Sequence, residues 1–330
     1  MRRTVGAGLL LLLLLFLPPW LRAEETNTGE RTDAPPQTEQ SVPDGGSDAA
    51  HTVRLWNGSA VETMTAAEYL PGVVRGEMPA AFEEEALKAQ AVAERTYLYY
   101  RMASAPKENH PDADVCTDSN CCTAWLSQAD ARTKWGDKFD RYEARVQQAV
   151  ADTDGQVVLY EGAPIMAVFH SSSAGATAAS GDVWTASLPY LVSVKSPEDA
   201  DSVPNYYSVN TVTAGEFRTI FCKAHPEAKL SGDTAGWIGD VTLTDAGRVA
   251  SARVGGVSVT GKELRSLYGL RSAAFTVEAA GDSVTFRVTG YGHGVGMSQY
   301  GANSLAKEGK TWREILQWYY TGVTIGLYNG

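Results

Sequence analysis

The chain has 330 residues, of which 44% are apolar and 20% are charged. A chain of this length and composition can bury one large core or two smaller ones, which excludes disorder throughout. The formal net charge of −11, from 39 acidic and 28 basic side chains, offers no positive surface for a phosphate backbone, so we expect no nucleic-acid partner.

Residues 1–23 have the features of an export signal. Arg2 and Arg3 precede an apolar run from Val5 to Leu17, and a short exit segment ends at Ala23. The run is shorter than the roughly 20 residues that cross a bilayer as a helix, which favours a cleaved signal. Leu21, three positions before the cleavage point, is a poor cleavage residue and leaves an uncleaved membrane anchor equally open. Either way, we expect an exported protein.

The remaining chain divides into a linker and one working body. Residues 24–50 are rich in Thr, Glu, Asp, Gly, Pro and Ser and have few large apolar side chains, so we predict a disordered linker there. Residues 51–330 alternate helix-like and strand-like patterns, which indicates a mixed α+β domain. Four threonines are each followed three residues later by glutamate, which predicts helix starts with capping boxes at Thr65, Thr213, Thr260 and Thr311.

Strand patterns are equally distinct. Residues 156–160 and 165–169, joined at Glu161-Gly162, predict a hairpin that carries His170, Ser172 and Ser173 just beyond its end. Residues 237–259 and 275–288 predict short strands that flank the helix begun at Thr260, within a possible strand-rich subdomain at about 205–288. The predicted fold is α+β, with mixed helices and short antiparallel strands around a catalytic cleft.

The segment from residue 69 to residue 102 is the most informative. We predict that a glycine-flanked strand or turn ends at Glu77, and that a long helix begins after Met78-Pro79. Small residues on several faces of that helix predict packing on more than one side. Lys88 and Arg95 lie two helical turns apart and project along nearly the same line. The spacing alone also fits a surface glutamate at position 77 and a solvated pair between Lys88 and Glu84.

A cluster of metal-binding residue types follows the helix. His110, Cys116, Cys121 and Cys122 lie within 13 residues of sequence. Outside the membrane, disulfides such as Cys116–Cys121, or a link to Cys222, are the default expectation. One imidazole and three thiols are also a ligand set suited to tetrahedral zinc.

Four segments carry a resemblance to a known family, which extends from about residue 53 to residue 328. The segments are Tyr69-Leu-Pro-Gly-Val-Val-Arg-Gly-Glu-Met-Pro79 with Glu85-Ala-Leu-Lys-Ala-Gln-Ala-Val-Ala-Glu-Arg-Thr-Tyr97, Phe169-His-Ser-Ser-Ser-Ala-Gly-Ala-Thr177, Trp184 with Pro189-Tyr-Leu191, and Gly290-Tyr-Gly-His-Gly-Val-Gly-Met-Ser-Gln-Tyr-Gly-Ala302. Together they resemble the SpoIID/LytB domain family.

The resemblance implies an activity and a set of site residues. Glu77 matches the catalytic acid/base of a peptidoglycan lytic transglycosylase, and Lys88 and Arg95 match basic positions on the following helix. Glu94 departs from the small residue that is usual there, and we expect it to pair near Arg101 or Lys88. Further substrate contacts are expected at His170, Ser172, Ser173, Tyr291, His293, Ser298 and Gln299.

The implied reaction explains why one carboxylate could suffice. Ordinary glycosidases use two, whereas a lytic transglycosylase uses the 6-hydroxyl of the muramyl sugar as an internal nucleophile. Glu77 would protonate the leaving oxygen and then take the hydroxyl proton, which requires a raised pKa. Two adjacent cations would lower that pKa, so Lys88 and Arg95 are not both expected to touch Glu77.

The resemblance also implies a cofactor, partners and a location. Some members bind zinc through a similar His/Cys cluster, which favours structural Zn²⁺ over disulfides. The implied substrate is the glycan strand, stripped of stem peptides by a SpoIIP-type amidase/endopeptidase. The implied location is the space between mother cell and forespore during engulfment, with a membrane partner.

Three alternatives differ in chemistry. A non-catalytic enhancer of an amidase would bind the wall without cutting it. A zinc-dependent hydrolase would need an open metal position. A serine hydrolase built on His170 and Ser172 lacks the G-x-S-x-G pattern.

Overall fold

The structure is a computed structural model that describes residues 47–328. The predicted signal or anchor at 1–23 and most of the predicted linker lie outside these residues. Within them, we find no helix with both the length and the apolar character needed to cross a membrane. The described part is α+β, in agreement with the fold class expected from the sequence.

Most helices belong to a first lobe that shares one hydrophobic core. Its elements are β1 (Thr52–Trp56), β2 (Val61–Thr65), α1 (Ala66–Glu77), α2 (Glu84–Met102), β3 (Val115–Cys116), α3 (Gln128–Trp135), α4 (Phe139–Ala151), β4 (Gln156–Tyr160), β5 (Ala163–Pro164), β6 (Phe169–His170) and α5 (Ser180–Val183). After an excursion, the chain returns to it at β13 (Met297–Ser298), α8 (Gln299–Lys307), α9 (Trp312–Tyr319) and β14 (Thr324–Leu327).

Residues between these two parts form a second lobe with a core of its own, built on six aromatic residues and several β-branched side chains. Its elements are β7 (Tyr207–Thr213), α6 (Ala214–Ala224), β8 (Ile238–Leu243), β9 (Val249–Val254), β10 (Val257–Thr260), α7 (Gly261–Leu267), β11 (Phe275–Ala280) and β12 (Ser283–Thr289). Two antiparallel sheets, ordered β11-β12-β7 and β10-β9-β8, enclose this core.

Helix α2 is the centre of the first lobe. It packs against α1, α4, α8, α9 and β4, and its buried residues occupy most of its circumference. Alanines at positions 86, 89, 91 and 93 let these neighbours approach closely. The expectation that this helix packs on more than one side is confirmed.

Helix α1 differs from the strand or turn expected before Glu77. A capping box at Thr65 begins the helix, as predicted, and the helix then continues through Pro71 to Glu77. Burial of Tyr69, Val73 and Val74 on the lobe core stabilises it despite the proline. The prediction of a strand or turn was wrong because tertiary packing outweighed the local propensity of the segment.

The predicted hairpin is only partly present. Strand β4 turns at Glu161 and Gly162, both at positive φ, and pairs antiparallel with the short β5. Beyond Ile165 the chain leaves the sheet, and β6 instead pairs in parallel with β13. His170 therefore reaches its place through a pairing with residues 297–298, which the hairpin did not predict.

The folded domain also includes residues that the composition assigned to the linker. Asp48–Ala50 form a 3-10 turn capped by Ser47. Asp48 is buried, and both its carboxylate oxygens accept hydrogen bonds from the Arg95 guanidinium at 2.7 Å. The boundary placed at residue 50 is therefore too late, because Arg95 holds this turn against α2.

Candidate active site and metal centre

A cleft of about 720 Å³ opens beside the end of α1. It contains five of the residues expected from the sequence to touch substrate or carry the reaction, namely Glu77, His170, Tyr291, His293 and Gln299. Its polar lining and its size suit a chain of sugar rings better than a compact apolar ligand. Among the described residues that line the cleft, Glu77 is the only carboxylate.

Glu77 is held at both its backbone and its side chain. It is the last residue of α1, after which Met78-Pro79 ends the helix. Its Oε1 accepts a hydrogen bond from the Ala124 backbone N–H at 2.5 Å, and its carbonyl accepts one from Gln299 Nε2 at 3.0 Å. Burial raises the pKa of Glu77, and the Ala124 N–H offsets part of that rise. A carboxyl in this setting can release and recover a proton closer to neutral pH than an exposed one.

Two glycines of α1 allow the segment that carries Ala124 to approach. A Cβ built on Gly76 would lie 2.6 Å from the Ala124 carbonyl oxygen, and one built on Gly72 would overlap the Trp125 indole. The Leu126 N–H donates to the Gly72 carbonyl at 3.0 Å and completes the contact. The spacing of these glycines, four residues apart, therefore places a backbone donor on Glu77.

Two histidines form another wall of the cleft, with ring centroids 5.8 Å apart. Burial, followed by the charges of His293 and Arg248, lowers the pKa of His170 well below its ordinary value. Burial, then Arg265 and Arg248, lowers the pKa of His293 to about 4. Both rings are therefore neutral at neutral pH, and they can accept or donate hydrogen bonds without adding charge beside Glu77.

Glu94 lies buried on α2 and does not line the cleft. Its Oε1 accepts a hydrogen bond from Gln90 Nε2 at 3.0 Å. Burial, and after it the charge of Glu77, raises the pKa of Glu94 well above its ordinary value. The expected pairing with Arg101 or with the surroundings of Lys88 is wrong, because Gln90 is its hydrogen-bond partner.

The structure does not bring Lys88 and Arg95 to the cleft. Lys88 forms ion pairs with Glu84 at 2.6 Å and with Asp152 at 2.9 Å. The Arg95 side chain is 0% exposed and is committed to Asp48. Neither is therefore placed to contact substrate, and the cations that would have lowered the pKa of Glu77 are engaged elsewhere.

Three expected serines support the cleft without lining it. Ser173 Oγ lies 2.7 Å from His170 Nε2, which leaves Nδ1 to donate to the Val295 carbonyl. The Ser172 backbone pairs with that of Tyr291. Ser298 caps α8 and donates to Glu198 Oε1 at 2.5 Å. All three are buried, so they position the histidine and tyrosine walls.

Other residues of the cleft were not predicted as contacts. They include Tyr97, Asn120, Trp184 and Arg265. Trp184 stands in one of the four resemblance segments and Tyr97 ends another, so these two carried a signal in the sequence. Arg265 lies on α7 of the second lobe, and no spacing links it to Glu77.

The His/Cys cluster assembles as a four-donor site. The donor atoms of His110, Cys116, Cys121 and Cys122 all lie within 4.8 Å of one another. His110 Nε2 is 3.4 Å from the Cys121 sulfur and 3.5 Å from the Cys122 sulfur, and the two sulfurs are 3.9 Å apart. Tetrahedral zinc with N and S ligands requires donor separations of about 3.5–3.8 Å. The cluster therefore fits the ion.

Neighbouring groups orient the donors as a metal site requires. His110 Nδ1 lies 3.2 Å from the Ala113 carbonyl, which leaves Nε2 free as a ligand. Lys107 Nζ lies 3.5 Å from the Cys122 sulfur, and Asn109 Nδ2 lies 3.1 Å from the Cys121 sulfur. Burial opposes ionisation of Cys121, but hydrogen bonds from Asn109 and its neighbours lower its pKa to about 7. All four cysteines are free thiols.

The fold and the site together define the class of protein. It is an α+β domain with two hydrophobic cores and a cleft in which one carboxylate lies beside a four-donor cluster. Residues 57–160, which include Glu77 and the cluster, match the SpoIID family, described as "Stage II sporulation protein". Stage II sporulation protein D of Bacillus subtilis is 40% identical over 267 residues, covering 81% of this chain and 76% of that protein. The chain belongs to the SpoIID family.

Two further relatives extend the comparison. Stage II sporulation protein D of Bacillus amyloliquefaciens is 38% identical over 81% of this chain and 75% of its own length. The amidase enhancer of Bacillus subtilis is 29% identical over 78% of this chain but only 40% of its own length. The similarity to the two stage II sporulation proteins D therefore covers most of this chain and most of each relative.

Proposed function

We propose that this protein is a lytic transglycosylase that cleaves the bond between MurNAc and GlcNAc in peptidoglycan glycan strands, with Glu77 as both acid and base. One observation carries the proposal: Glu77 is the only carboxylate among the described cleft residues. A two-carboxylate glycosidase would need a partner about 5–10 Å away to serve as nucleophile or to activate water. An internal hydroxyl nucleophile needs none.

In the proposed reaction Glu77 transfers a proton twice. Protonated Glu77 gives its proton to the glycosidic oxygen as the bond from C1 of the muramyl sugar breaks. The 6-hydroxyl oxygen of the same sugar then bonds to C1, and its proton passes to the Glu77 carboxylate. The products are a 1,6-anhydromuramyl end and a free 4-hydroxyl, and Glu77 ends protonated as it began. The raised pKa of Glu77 suits the first step.

The surroundings of Glu77 support the same roles. The Ala124 N–H stabilises the carboxylate formed after the first transfer. Because the imidazoles of His170 and His293 are neutral, they place no positive charge beside the Glu77 carboxylate. Tyr291, 44% exposed, offers an aromatic face on which a sugar ring can stack.

The cluster supports a structural role for zinc in this proposal. Four protein donors fill a tetrahedral shell and leave no position for water. Held by these residues, the ion would supply a cross-link within residues 110–122, just before the Ala124 N–H that binds Glu77. Metal-assisted hydrolysis would require one donor to leave.

The sporulation setting is carried over from the names of the relatives, and the location and partners from the family resemblance of the sequence. We propose a role in cell-wall remodelling during sporulation, with the chain exported and acting outside the cytoplasm near a membrane. The proposed location is the space between mother cell and forespore. A SpoIIP-type amidase/endopeptidase would provide stripped strands, and a membrane partner would hold the chain in place.

Product analysis tests the proposed reaction. Peptide-free glycan strands digested by the protein should carry 1,6-anhydromuramyl ends by mass spectrometry. We expect Glu77→Gln to lower their rate of formation by on the order of 10²–10⁴. The matched control is Glu84→Gln, a surface carboxylate on α2 that is 60% exposed, and it should keep wild-type activity. Reducing ends in place of anhydro ends would contradict the proposal.

A non-catalytic alternative is favoured by one comparison, the similarity to a protein named amidase enhancer. The same assay separates the two functions. An enhancer would leave the glycan uncut and would raise the rate of an added amidase equally well with Glu77→Gln. A zinc-dependent wall hydrolase would give reducing ends and would lose activity on chelation while the chain stayed folded.

A further inference from the structure

A recess on the second-lobe side of the cleft concentrates positive charge. It is small, about 30 Å³, which is room for one or two water-sized groups. Three cationic side chains, Arg248, Lys262 and Arg265, line it together with His293. Arg265 and His293 also line the main cleft, so the recess borders the space where Glu77 lies.

Arg248 is the most deeply buried of these cations, at 3% exposure. Its Nη2 donates to the Gly292 carbonyl at 3.0 Å. Its Nε and Nη1 are buried and have no hydrogen-bond partner within residues 47–328. Burial, followed by the charge of Arg265, lowers the pKa of Arg248 to about 10, so the group is still charged at neutral pH.

No internal anion compensates this charge. Across the described part of the chain, no carboxylate oxygen lies within 4.0 Å of Arg248 or Arg265. Asp182 also lines the recess, but it is exposed and is in none of the ion pairs found within residues 47–328. A buried guanidinium with unused donors is unfavourable in a folded protein unless an anion reaches it.

The backbone beside Arg248 is shaped around its side chain. A Cβ built on Gly294, at φ +88, would lie 2.6 Å from the Arg248 Cζ atom. The loop from Gly290 to Gly296 therefore needs a glycine here for the guanidinium to fit. The same loop carries Tyr291 and His293 into the cleft, so its path joins the recess to the substrate site.

We propose that this recess binds the lactyl carboxylate of a muramic acid residue whose stem peptide has been removed. The inference rests on the proposed function, because that function supplies a substrate with one carboxylate per muramyl sugar. The free carboxylate offers two oxygens to the unused donors of Arg248 and to Arg265. In a peptide-bearing strand the same carbon is a neutral amide with a bulky substituent, which the recess neither pairs nor accommodates.

Binding to matched glycans tests the recess separately from catalysis. The full chain carrying Glu77→Gln is titrated with a muramyl oligosaccharide that has free lactyl carboxylates, and with the same oligosaccharide after conversion to methyl amides. We expect the free carboxylates to lower Kd by about 10- to 100-fold. Adding Arg265→Gln or Arg248→Gln should remove most of this preference, whereas Arg253→Gln, an exposed arginine of the same lobe, should leave it intact.

A third ligand identifies the source of the carboxylate. Peptide-bearing oligosaccharide keeps the carboxylates of its stem peptide but has no free lactyl group. It should bind like the methyl amide form, with no effect of Arg265→Gln. Tight binding of this ligand through Arg265 would overturn the proposal, as would equal Kd values for the free and amidated forms.

The two proposals fail in different ways. Equal Kd values for the free and amidated ligands with an unaltered recess, in a protein whose wild-type form makes anhydro ends, would refute the recess alone. Retention of the preference in protein that never forms anhydro ends would refute the transglycosylase and leave a carboxylate-reading wall binder. The amidated ligand gives the first comparison without any change to the recess, so a variant that misfolds does not decide the result.

Discussion

Glu77 and Glu94 interact, but only Glu77 reaches the cleft. Burial and the Glu77 charge together favour the protonated form of Glu94. The proton keeps a second negative charge away from the cleft carboxyl of Glu77. Glu94 can therefore be buried inside the first lobe at neutral pH, but its burial makes the free energy of unfolding depend on pH.

We expect Glu94→Gln to remove that dependence. Above about pH 4.5 the unfolded chain releases the Glu94 proton, whereas the native state retains it because its pKa is raised. The native state then binds more protons, so the unfolding free energy of the wild type falls as pH rises, by at most about 1.4 kcal/mol per pH unit from one group. The urea midpoint of the variant relative to wild type should therefore increase between about pH 5 and about pH 8.

The control for this titration is Glu308→Gln, an exposed carboxylate at the end of α8. Its urea midpoint should follow that of the wild type at every pH. If Glu94→Gln also follows the wild type across this range, then Glu94 is ionised in the native state, and Glu77 is coupled to a second charge in the core of the first lobe.

At this scale the sequence identified Glu77 but not its surroundings. The residues around Glu77 made it visible because they resemble the SpoIID/LytB family, although the strand or turn expected before Met78-Pro79 is a helix. The partner of Arg95 was hidden, since Asp48 lies 47 residues away in a segment whose composition predicted a linker. Arg265 was missed for a similar reason, as only tertiary structure brings the second lobe to the cleft.

Among the elements, α1 has a role beyond carrying Glu77. Its glycine face holds the segment of Ala124 close enough to donate to the carboxylate. A Cβ at position 76 would lie 2.6 Å from the Ala124 carbonyl oxygen, closer than van der Waals contact allows. We therefore expect Gly76→Ala to push this segment away and to weaken or break the hydrogen bond. The rate of anhydro-end formation should fall by about 10-fold or more, for one charge-assisted hydrogen bond lost.

Gly215→Ala provides the matched comparison on α6. A Cβ at this helical position meets no atom within 4 Å, so the change should leave activity intact and stabilise the chain by about 0.5–1 kcal/mol. Full activity in folded Gly76→Ala would show that the Ala124 contact is dispensable for the reaction.

Predictions about single elements were confirmed where the interactions that form them join residues close together in sequence. Thr65, Thr213 and Thr311 form complete capping boxes, and Thr260 caps α7 with its side chain. The short strands expected within residues 275–288 are β11 and β12, which the turn at Gly281-Asp282 joins. The parallel pairing of β6 with β13 was not predictable, because it joins residues about 128 positions apart and each strand has only two residues.

At the scale of the whole molecule, the cleft depends on both lobes and on the cluster between α2 and α3. The second lobe adds Arg265, and the chain leaving it adds the loop of Tyr291 and His293. The cluster adds Cys121 and Cys122 to the lining of the cleft. The geometry of the cleft is therefore tied to the stability of a cysteine-rich segment with little regular structure of its own.

We expect one zinc ion per chain, held by His110, Cys116, Cys121 and Cys122. Removing it with a chelator should lower the thermal midpoint by about 5–15 °C, because the ion binds the native state only. Anhydro ends should still form at temperatures below the lowered midpoint, since the ion has no open position for water. Cys116→Ser should abolish zinc binding, and Cys222→Ser, outside the cluster, should retain it. A thiol count below four in the denatured, metal-free chain would instead identify a disulfide, and loss of all cleavage in chelated protein that remains folded would make the ion part of the reaction.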